Sequence, residues 1–398
     1  MRDRKEPSVP APRPRRTPAQ EPPSGASDRP TDWRRGWALV PIFVVLALVV
    51  GELGARAIGP EIPRQAGSEE RAFLKAEQMR ALGPGSTDVL IVGSSETAGG
   101  LIPSVMAEAA PMLDGFYNGA LAGTYQPVQQ EWVERVAIPA LRPPVVVIAM
   151  LPMSVWDLVG KYPDDPNREA QGAYRSAFDQ IDPAHLGDLG WWVRENSALV
   201  RYRPYLRRPT LAVRGVGNLL GITRPPTGDG EVGPFGMDWM TETDPEVVRA
   251  NTAPTGEVFD YRSRSLPVTA DTTNQVLFGR MAAAGEVDFA PLQSLVDAVR
   301  SGGATPVLAL GPIDRTVLAA SGVDLTPFDE LVDEIEAWAA TRDLPVNDAF
   351  TEAWSPDDFH DRTHVDLAGA ERWSAQVGAW LAELCSAGAL PDACPADR

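Results

Sequence analysis

The chain has 398 residues, of which 44% are hydrophobic, and its formal net charge is −18 at pH 7. A chain of this length and hydrophobicity can bury a globular core and carry additional segments. The acidic balance repels the phosphate backbone of nucleic acids, so DNA binding and RNA binding are excluded as functions. The sequence has neither a cysteine–histidine set with metal-ligand spacing nor a glycine-rich phosphate loop, so it predicts no metal and no cofactor.

The N-terminal part of the chain predicts a disordered tail followed by a membrane helix. Residues 1–32 are rich in Pro, Arg, Ser and Asp and hold almost no large apolar side chains, so they cannot bury a core. The segment 36–58 is mostly apolar and just long enough to cross a bilayer at about 1.5 Å per residue. The basic residues within 1–35 predict a cytoplasmic tail and a domain on the other side of the cell membrane.

A cleaved signal peptide is the alternative interpretation of the apolar segment. Ala55-Arg56-Ala57 fits the A-x-A pattern that precedes a cleavage site, and the strictly apolar run is short. A long N-terminal tail is unusual for a cleaved signal, so the sequence favours an anchor.

Beyond residue 58 the pattern predicts strands that alternate with helices. Residues 59–85 are predicted to form a stalk that contains a helix from Glu69 to Leu82. The predicted strands are Val89–Val92, Gly115–Tyr117, Val145–Met150, Pro306–Leu310 and Leu344–Asn347. The predicted helices are Pro103–Ala110, Gln126–Ile138, Phe289–Arg300, Pro327–Ala340 and Ala368–Leu384. This alternation predicts a flavodoxin-like three-layer α/β domain over residues 86–385.

Residues 157–274 interrupt this alternation and are too long for an ordinary connection. They predict an insertion with some helices, for example Leu189–Arg203, packed over the mouth of the site. A basic cluster within the insertion is unusual for so acidic a domain, and it could bind an anionic glycan, a lipid head group or a phosphate. A solvated or salt-bridged helix face is the alternative. The candidate binding residues are Arg203, Arg207 and Arg208.

Both cysteines lie near the C-terminal end, where residues 386–398 are predicted to form a tail. A bridge between Cys385 and Cys394 would close a short loop and is typical of an oxidising compartment. Two free thiols are the alternative.

Three side-chain types in two segments predict a nucleophilic site. The strand Val89–Val92 runs directly into Gly93-Ser94-Ser95, and such a turn into a helix presents a serine hydroxyl. Far along the chain, Asp361 and His364 are three residues apart, just before a helix. Histidine can take the proton of a serine hydroxyl, and a carboxylate at its other nitrogen sets the tautomer. Since the carboxyl ends of parallel strands meet at one edge of a sheet, we expect the two segments to lie close together.

The remaining histidines offer one competitor. Asp357-Asp358-Phe359-His360 has the same D-x-x-H spacing, but Gly369 and the helix that follows favour His364. His360 is then expected at the entrance of the site or on the surface. His185 is predicted to be a surface loop residue.

These segments resemble the SGNH/GDSL hydrolase superfamily in several sequence blocks. Gly93-Ser94-Ser95 occupies the place of the family's G-D-S block, which implies that Ser95 is the nucleophile. Asn118, followed five residues later by Gly123, fits the second block. The resemblance implies that the backbone N–H groups of Ser95 and Gly123 form the oxyanion hole, and a turn glycine is the alternative for Gly123.

The last block of the family is also present, whereas the third block differs from the family pattern. Asp361 and His364, with Gly369 five residues after the histidine, fit the last block and imply the rest of a Ser95–His364–Asp361 triad. In the third block the family has a strand that ends in G-x-N-D. Here Ser154 stands where the asparagine is expected, so it is either a substitute oxyanion donor or an ordinary loop serine.

Glu96 completes the string Gly-Ser-Ser-Glu, which is similar to that of the DltD family, membrane-anchored SGNH proteins that take part in D-alanylation of teichoic acids. A wider resemblance is to anchored SGNH proteins that work with membrane-bound O-acyltransferases in acetylating alginate and other envelope polysaccharides. Stabilisation of a helix N-terminus by Glu96 is the alternative to a catalytic role.

The resemblance implies a membrane-anchored serine acyltransferase or esterase that acts on acyl esters, above all acetyl esters, of cell-envelope carbohydrate. Its implied partners are an envelope polysaccharide or another acylated glycan, together with a membrane-bound O-acyltransferase. The alternative is a non-catalytic envelope module that keeps the SGNH shell to bind a glycan or a partner protein.

Overall fold

The computed structural model of the chain describes residues 33–59, 68–156, 167–182, 189–222 and 278–394, apart from residues 191, 195, 208, 280, 284 and 285. The predicted disordered tail before Trp33, the histidine His185, the arginine Arg208 and much of the predicted insertion lie outside the described residues. The chain divides into two units, Met1–Gly51 and Glu52–Arg398.

Helix α1 (Trp33–Ile58) carries the apolar run predicted to cross the membrane. Its segment Leu39–Ile58 has a mean hydropathy of 2.0 and is long and apolar enough to span a bilayer. Almost all of its large apolar side chains are exposed, whereas the core helix of a soluble domain would bury them. Pro41 lies near the start of this helix, as a membrane helix tolerates.

The second unit is built on five parallel strands. They lie in the order β2-β1-β3-β4-β5, with β1 and β3 at the centre. Their bounds are β1 (Val89–Val92), β2 (Phe116–Asn118), β3 (Val145–Met150), β4 (Thr305–Leu310) and β5 (Val346–Asp348). Every residue of β3 is buried, as its continuous apolar run predicts for a parallel strand covered on both faces.

Helices connect the strands, and the predicted alternation of strands and helices is confirmed. A single π-helical turn, Val133–Ala137, joins α5 to α6, so the predicted helix from Gln126 to Ile138 is continued but not regular. The helix bounds are α2 (Ser68–Leu82), α3 (Ser95–Gly100), α4 (Pro103–Ala109), α5 (Gln126–Trp132), α6 (Ile138–Leu141), α7 (Asn167–Ile181), α8 (Ala198–Arg201), α9 (Arg203–Leu206), α10 (Pro209–Leu219), α11 (Ala290–Ser301), α12 (Arg315–Ala320), α13 (Thr326–Ala340) and α14 (Leu367–Ser386).

The sheet carries a core on each face because successive side chains of a strand point to opposite sides. One core contains Leu90, Ile148 and Leu308 together with residues of α2, α5, α7, α11 and α13. The other contains Ile91 and Val147 together with residues of α4 and α14. A layer of helices therefore covers each face of the sheet.

Helix α2 belongs to the first core, whereas the sequence predicts it as part of a stalk. Phe73, Lys75 and Met79 are fully buried, and α7 of the insertion packs against the helix. A helix that has neighbours on several sides needs no single apolar stripe, so its pattern resembles that of a solvated connector.

The C-terminal residues also pack on the domain. Cys385 and Cys394 form a disulfide with Cα atoms 5.5 Å apart, which decides the alternative that the sequence leaves open. Leu390 and Ala393, inside the closed loop, are buried in the second core. A bridge across a loop this short is expected to stabilise the fold by about 2–3 kcal/mol.

Candidate active site

The turn after β1 presents two serines at the start of α3. A Cβ at Gly93 would clash with the carbonyl oxygen of Ala149, so only glycine lets the end of β1 approach β3 this closely. The hydroxyl of Thr97 donates to the same carbonyl at 3.0 Å and holds α3 against β3. Ser95 is the first residue of α3, where a backbone N–H has no acceptor within the helix.

Glu96 contacts both serine hydroxyls. The hydroxyl of Ser95 donates to Oε2 of Glu96 at 3.3 Å, and the hydroxyl of Ser94 donates to the same oxygen. The charge of Glu96 also contributes to the raised pKa of His364, so the carboxylate lies within electrostatic reach of that imidazole. Glu96 therefore bonds to the serine segment and acts on the imidazole of the other segment through its charge.

Asp361 and His364 lie on a turn that Asp361 itself shapes. Oδ1 of Asp361 accepts the backbone N–H groups of Thr363 and His364, each at 2.8 Å. An antiparallel bridge between Phe359 and Val365 closes the base of the turn. Because these contacts are local, the carboxylate and the imidazole are brought together by their own short segment.

The imidazole of His364 is held by the carboxylate of Asp361. Nδ1 lies 2.9 Å from Oδ2 and 3.0 Å from Oδ1. The His364 side chain is 19% exposed and that of Asp361 is 46% exposed. Since Nδ1 faces the carboxylate, Nε2 is the ring nitrogen that can take a proton from a serine hydroxyl.

Burial and charge act in opposite directions on this pair. Burial lowers the pKa of His364, but the hydrogen bond to Asp361 and the charges of Glu96 and Asp361 outweigh it, so the pKa is raised. Burial raises the pKa of Asp361, but its bonds to His364 and to two backbone N–H groups hold that pKa well below its usual range. Asp361 is thus an ionised carboxylate that stabilises an imidazolium at position 364.

The competing histidine lies on the same turn. The backbone N–H of His360 donates to the carbonyl of His364 at 2.8 Å. Gly369, which favours His364 in the sequence, lies in the first turn of α14, where a Cβ would clash with the carbonyl of Asp358. The N–H of Gly369 donates to the capping carboxylate of Asp366 at 2.9 Å, so this glycine lets α14 begin directly against the turn.

Asn118, at the end of β2, holds α3 in place. Its Nδ2 donates to the carbonyls of Thr97 at 3.1 Å and Leu101 at 2.8 Å. Its own carbonyl accepts a bond of 2.5 Å from Nζ of Lys75. Burial, together with the charge of Arg71, lowers the pKa of Lys75 to about 7. Sequence reasoning missed Lys75 because its acceptor is a backbone atom 43 residues away, which no motif marks.

The loop after β2 adjoins the serine turn. The N–H of Leu121 and the hydroxyl of Thr124 donate to the carbonyl of Gly93 at 3.0 Å and 3.3 Å. Gly123, between them, has a φ of 79°, a conformation that favours glycine. Its N–H makes no hydrogen bond to any residue that the structure describes. Its backbone conformation favours the turn-glycine interpretation of Gly123, and the role of its N–H as an oxyanion donor stays a prediction.

The hydroxyl and the N–H of Ser154, in contrast, are both bonded within their own turn. It lies in the short 3-10 turn Pro152–Val155 that follows β3. Its hydroxyl donates to the carbonyl of Leu151 at 2.5 Å, and its N–H donates to the same carbonyl at 3.0 Å. Because its one hydroxyl proton is used in the turn, the structure favours the loop-serine interpretation over an oxyanion donor.

Some described helices of the insertion contact the domain, and because much of the insertion lies outside the described residues, its packing over the mouth of the site stays a prediction. The hydroxyl of Tyr174 on α7 donates to the carbonyl of Ala122 at 2.9 Å, next to Gly123. Helices α8 to α10 follow on the side of α2, where Arg201 pairs with Glu77 at 3.4 Å. Two candidate substrate-binding residues, Arg203 and Arg207, are exposed there, and no contact between described residues brings them to Ser95 or His364.

Comparison with known proteins does not assign the chain to a family. No protein-family model matches the sequence, and no curated protein matches it. The chemistry of the site therefore rests on its own geometry.

Two further features bear on ligands. Among the described residues, no group of three or more His, Cys, Asp and Glu side chains is placed to hold a metal ion. A cavity of about 530 Å³ is lined by Pro144, before β3, and Gly303, before β4. It lies at the amino ends of these strands, opposite to the edge that carries Ser95, so it is not part of the candidate site.

Proposed function

We propose that the protein is a membrane-anchored serine esterase or O-acyltransferase of the SGNH/GDSL type, acting on acyl esters of cell-envelope carbohydrate. The observation that carries the proposal is the Asp361–His364 pair, with Nδ1 and Oδ2 2.9 Å apart. Glu96, which accepts the hydroxyl of Ser95 at 3.3 Å, also helps to raise the pKa of His364 through its charge. A serine hydroxyl, an imidazole and a carboxylate are the parts of an acyl-transfer triad.

The reaction proceeds through an acyl-serine. Oγ of Ser95 attacks the ester carbonyl while Nε2 of His364 takes its proton, and Asp361 stabilises the resulting imidazolium. The tetrahedral intermediate then expels the sugar oxygen, which leaves as an alcohol with the proton from His364. Water or a second sugar hydroxyl, deprotonated by His364, attacks the acyl group and restores Ser95. Hydrolase and transferase differ only in which of these two acceptors resolves the acyl-serine.

Two backbone donors would stabilise the oxyanion. The N–H of Ser95 is at the start of α3, and the N–H of Gly123 makes no bond to a described residue. Donors of this kind are aimed at charge that appears only in the transition state, and the loss of one costs about 10²–10³ in rate. Since the family's asparagine is replaced by Ser154, whose hydroxyl bonds to Leu151, we expect a slower enzyme than a complete oxyanion hole would produce.

The strand order supports the SGNH-like fold. The order β2-β1-β3-β4-β5 is that of flavodoxin-like sheets, in which ligands bind where the connections from the two central strands diverge. Here those strands are β1 and β3, and Ser95 follows β1.

Three features together support a location of the catalytic domain outside the cytoplasm. The segment Leu39–Ile58 is long and apolar enough to anchor the chain, and the basic tail before it favours a cytoplasmic N-terminus. A disulfide between Cys385 and Cys394 is typical of proteins outside the cytosol. The catalytic domain then faces the envelope, where an acylated polysaccharide is the substrate and a membrane-bound O-acyltransferase the partner.

The experiment that tests the proposal is labelling of the full-length protein with a serine-directed fluorophosphonate. We expect labelling of the native protein, loss of labelling in Ser95→Ala and strong reduction in His364→Ala. His360→Ala is the matched control and should label as the native protein does. A folded native protein that takes no label would favour the alternative, a non-catalytic envelope module that binds a glycan or a partner.

A further inference from the structure

Exposed large apolar residues are concentrated in one part of the domain. Beyond α1, every large apolar side chain that the structure describes as exposed, apart from Met112, lies within residues 189–222, which we call the juxtamembrane segment. They are Leu189, Trp192, Val200, Val213, Val216, Leu219, Leu220 and Ile222. Soluble domains seldom gather so many apolar side chains on one surface unless that surface has a partner.

Helix α10 of this segment exposes apolar side chains. Val213 and Val216 are exposed one turn apart, and the exposed Leu220, directly after the helix, continues the same spacing, so the three form an apolar stripe that points outward. Asn218, on the opposite side of the helix, is buried. A helix that faces water usually has its apolar stripe turned toward the core.

The juxtamembrane segment is also basic in an acidic protein. From Asn196 to Ile222 the sequence contains five arginines and no aspartate or glutamate. Arg203 and Arg207 are exposed. An outward apolar stripe with arginines beside it is typical of helices that lie in the interface of an anionic membrane.

The last turns of α1 are bonded to this same segment. Glu52 accepts the hydroxyl of Ser197 at 2.8 Å and the N–H groups of Ala198 and Leu199 at 2.9 and 3.0 Å. The guanidinium of Arg56 donates to the carbonyl of Asn196 at 2.8 Å. Since Glu52 and Arg56 directly follow the apolar run of α1 in the chain, these bonds attach the juxtamembrane segment to the residues after that run.

A second, apolar contact reinforces this attachment. Ile58, Tyr202 and Leu206 pack together, and Gly59 lies against the ring of Tyr202. Helices α8 and α9 are thus attached, by both hydrogen bonds and packing, to residues 52–59, which directly follow the apolar run in the chain.

We propose that the juxtamembrane segment is a membrane-docking surface, with its apolar stripe in the bilayer that α1 crosses and its exposed arginines on anionic lipid phosphates. The inference rests on the membrane anchoring of the proposed function, because the segment is bonded to residues that directly follow the apolar run of α1. Apolar and cationic groups side by side fit a bilayer surface, whereas a soluble glycan would use the arginines and leave the stripe in water. Trp192 fits the same place, since tryptophan is enriched at membrane interfaces.

The test places a nitroxide label at Val213→Cys or Leu220→Cys in the full-length protein, reconstituted in phosphatidylglycerol vesicles. The two native cysteines are bridged and do not take the label. We expect collisions with oxygen, which dissolves in lipid, to exceed collisions with a water-soluble nickel chelate several-fold. Met112→Cys, another exposed apolar position, is the matched control and should show the opposite preference.

The arginines are tested in the same vesicles. Arg203→Gln with Arg207→Gln should reduce the oxygen preference of the Val213 label in phosphatidylglycerol and bring it to the level found in phosphatidylcholine. Equal preferences for the native and the doubly substituted protein would overturn the role of the arginines.

Three outcomes would overturn the docking surface itself. A Val213 label as open to the nickel chelate as the Met112 label would show that the stripe faces water. Spin–spin broadening would assign the stripe to a second copy of the chain, and shielding by an added anionic polysaccharide, independent of lipid, would assign it to a glycan. Retention of the protein in the vesicles is scored separately, because release would contradict the anchor rather than the docking surface.

Discussion

Strand β1 and helix α10 are both rich in aliphatic residues, and they place them in opposite surroundings. All four side chains of β1 are buried, whereas Val213 on α10 is 70% exposed and Leu220, directly after it, is 64% exposed. Both regions carry aliphatic side chains, but β1 packs against protein on both sides and the stripe of α10 faces outward. The apolar content of a segment therefore shows that it needs a non-aqueous partner, and only the fold shows whether protein is that partner.

The polar residues of the two regions differ in the same way. At the turn after β5, the charged side chain of Asp361 meets a specific partner, His364. Along α10, the polar Asn218 is turned inward and the apolar stripe outward. We propose chemistry at the sheet edge and membrane attachment at the juxtamembrane segment, and the following predictions test this division.

The largest expected effect is a loss of activity that occurs for substitutions at the sheet edge and not for one on α10. Ser95→Ala and His364→Ala should each lower the hydrolysis of p-nitrophenyl acetate by about 10⁴–10⁶-fold, because nucleophile and base act as a unit. Asp361→Asn should cost less, since it orients and stabilises rather than reacts. Val213→Ala and His360→Ala should stay within a few-fold of the native rate. Loss of hydrolysis in Val213→Ala, with the fold retained, would contradict the division between the regions.

A smaller effect is expected on the free energy of unfolding, which should differ between substitutions in β1 and at the α10 stripe. Leu90→Ala removes a fully buried side chain and should lower the free energy of unfolding by about 2–5 kcal/mol. Leu220→Ala removes an exposed one and should change it by less than about 0.5 kcal/mol. Thermal unfolding of both variants in the same detergent, followed by circular dichroism, measures the difference. Similar losses would mean that protein covers the α10 stripe.

The smallest effect concerns Glu96 and sharpens the account of the sheet edge. Catalysis requires neutral His364, so activity rises with pH through the pKa of that imidazole. The charge of Glu96 helps to raise this pKa, and Glu96→Gln should therefore move the acid limb of the kcat/KM profile to lower pH. Glu108→Gln, at an exposed position of α4, is the control and should leave the limb unchanged. If the acid limb of the Glu96→Gln profile does not move, Glu96 has no influence on His364 and only bonds to the serine hydroxyls.

Much of the domain could be predicted from the sequence because its signals are local. The strands β1 and β3 lie where unbroken apolar runs predict them, and α1 lies where a long apolar run follows a basic flank. The Asp361–His364 turn is local as well, since its bonds join residues within three positions. Spacing alone is enough to predict such contacts.

The tertiary structure decided what depends on contacts between distant residues. The sequence of helix α2 is that of a solvated connector, but α7 packs against it in the fold. Lys75 has no role that its sequence position indicates, but in the fold it donates a hydrogen bond to the carbonyl of Asn118. Ser154 stands where the family that the sequence resembles has an asparagine, but the turn after β3 uses its hydroxyl. The apolar stripe of α10 points outward in the fold, whereas a hydrophobic pattern is the same whether its partner is protein or lipid. Local spacing determines which side chains share a face, and only packing determines what that face meets.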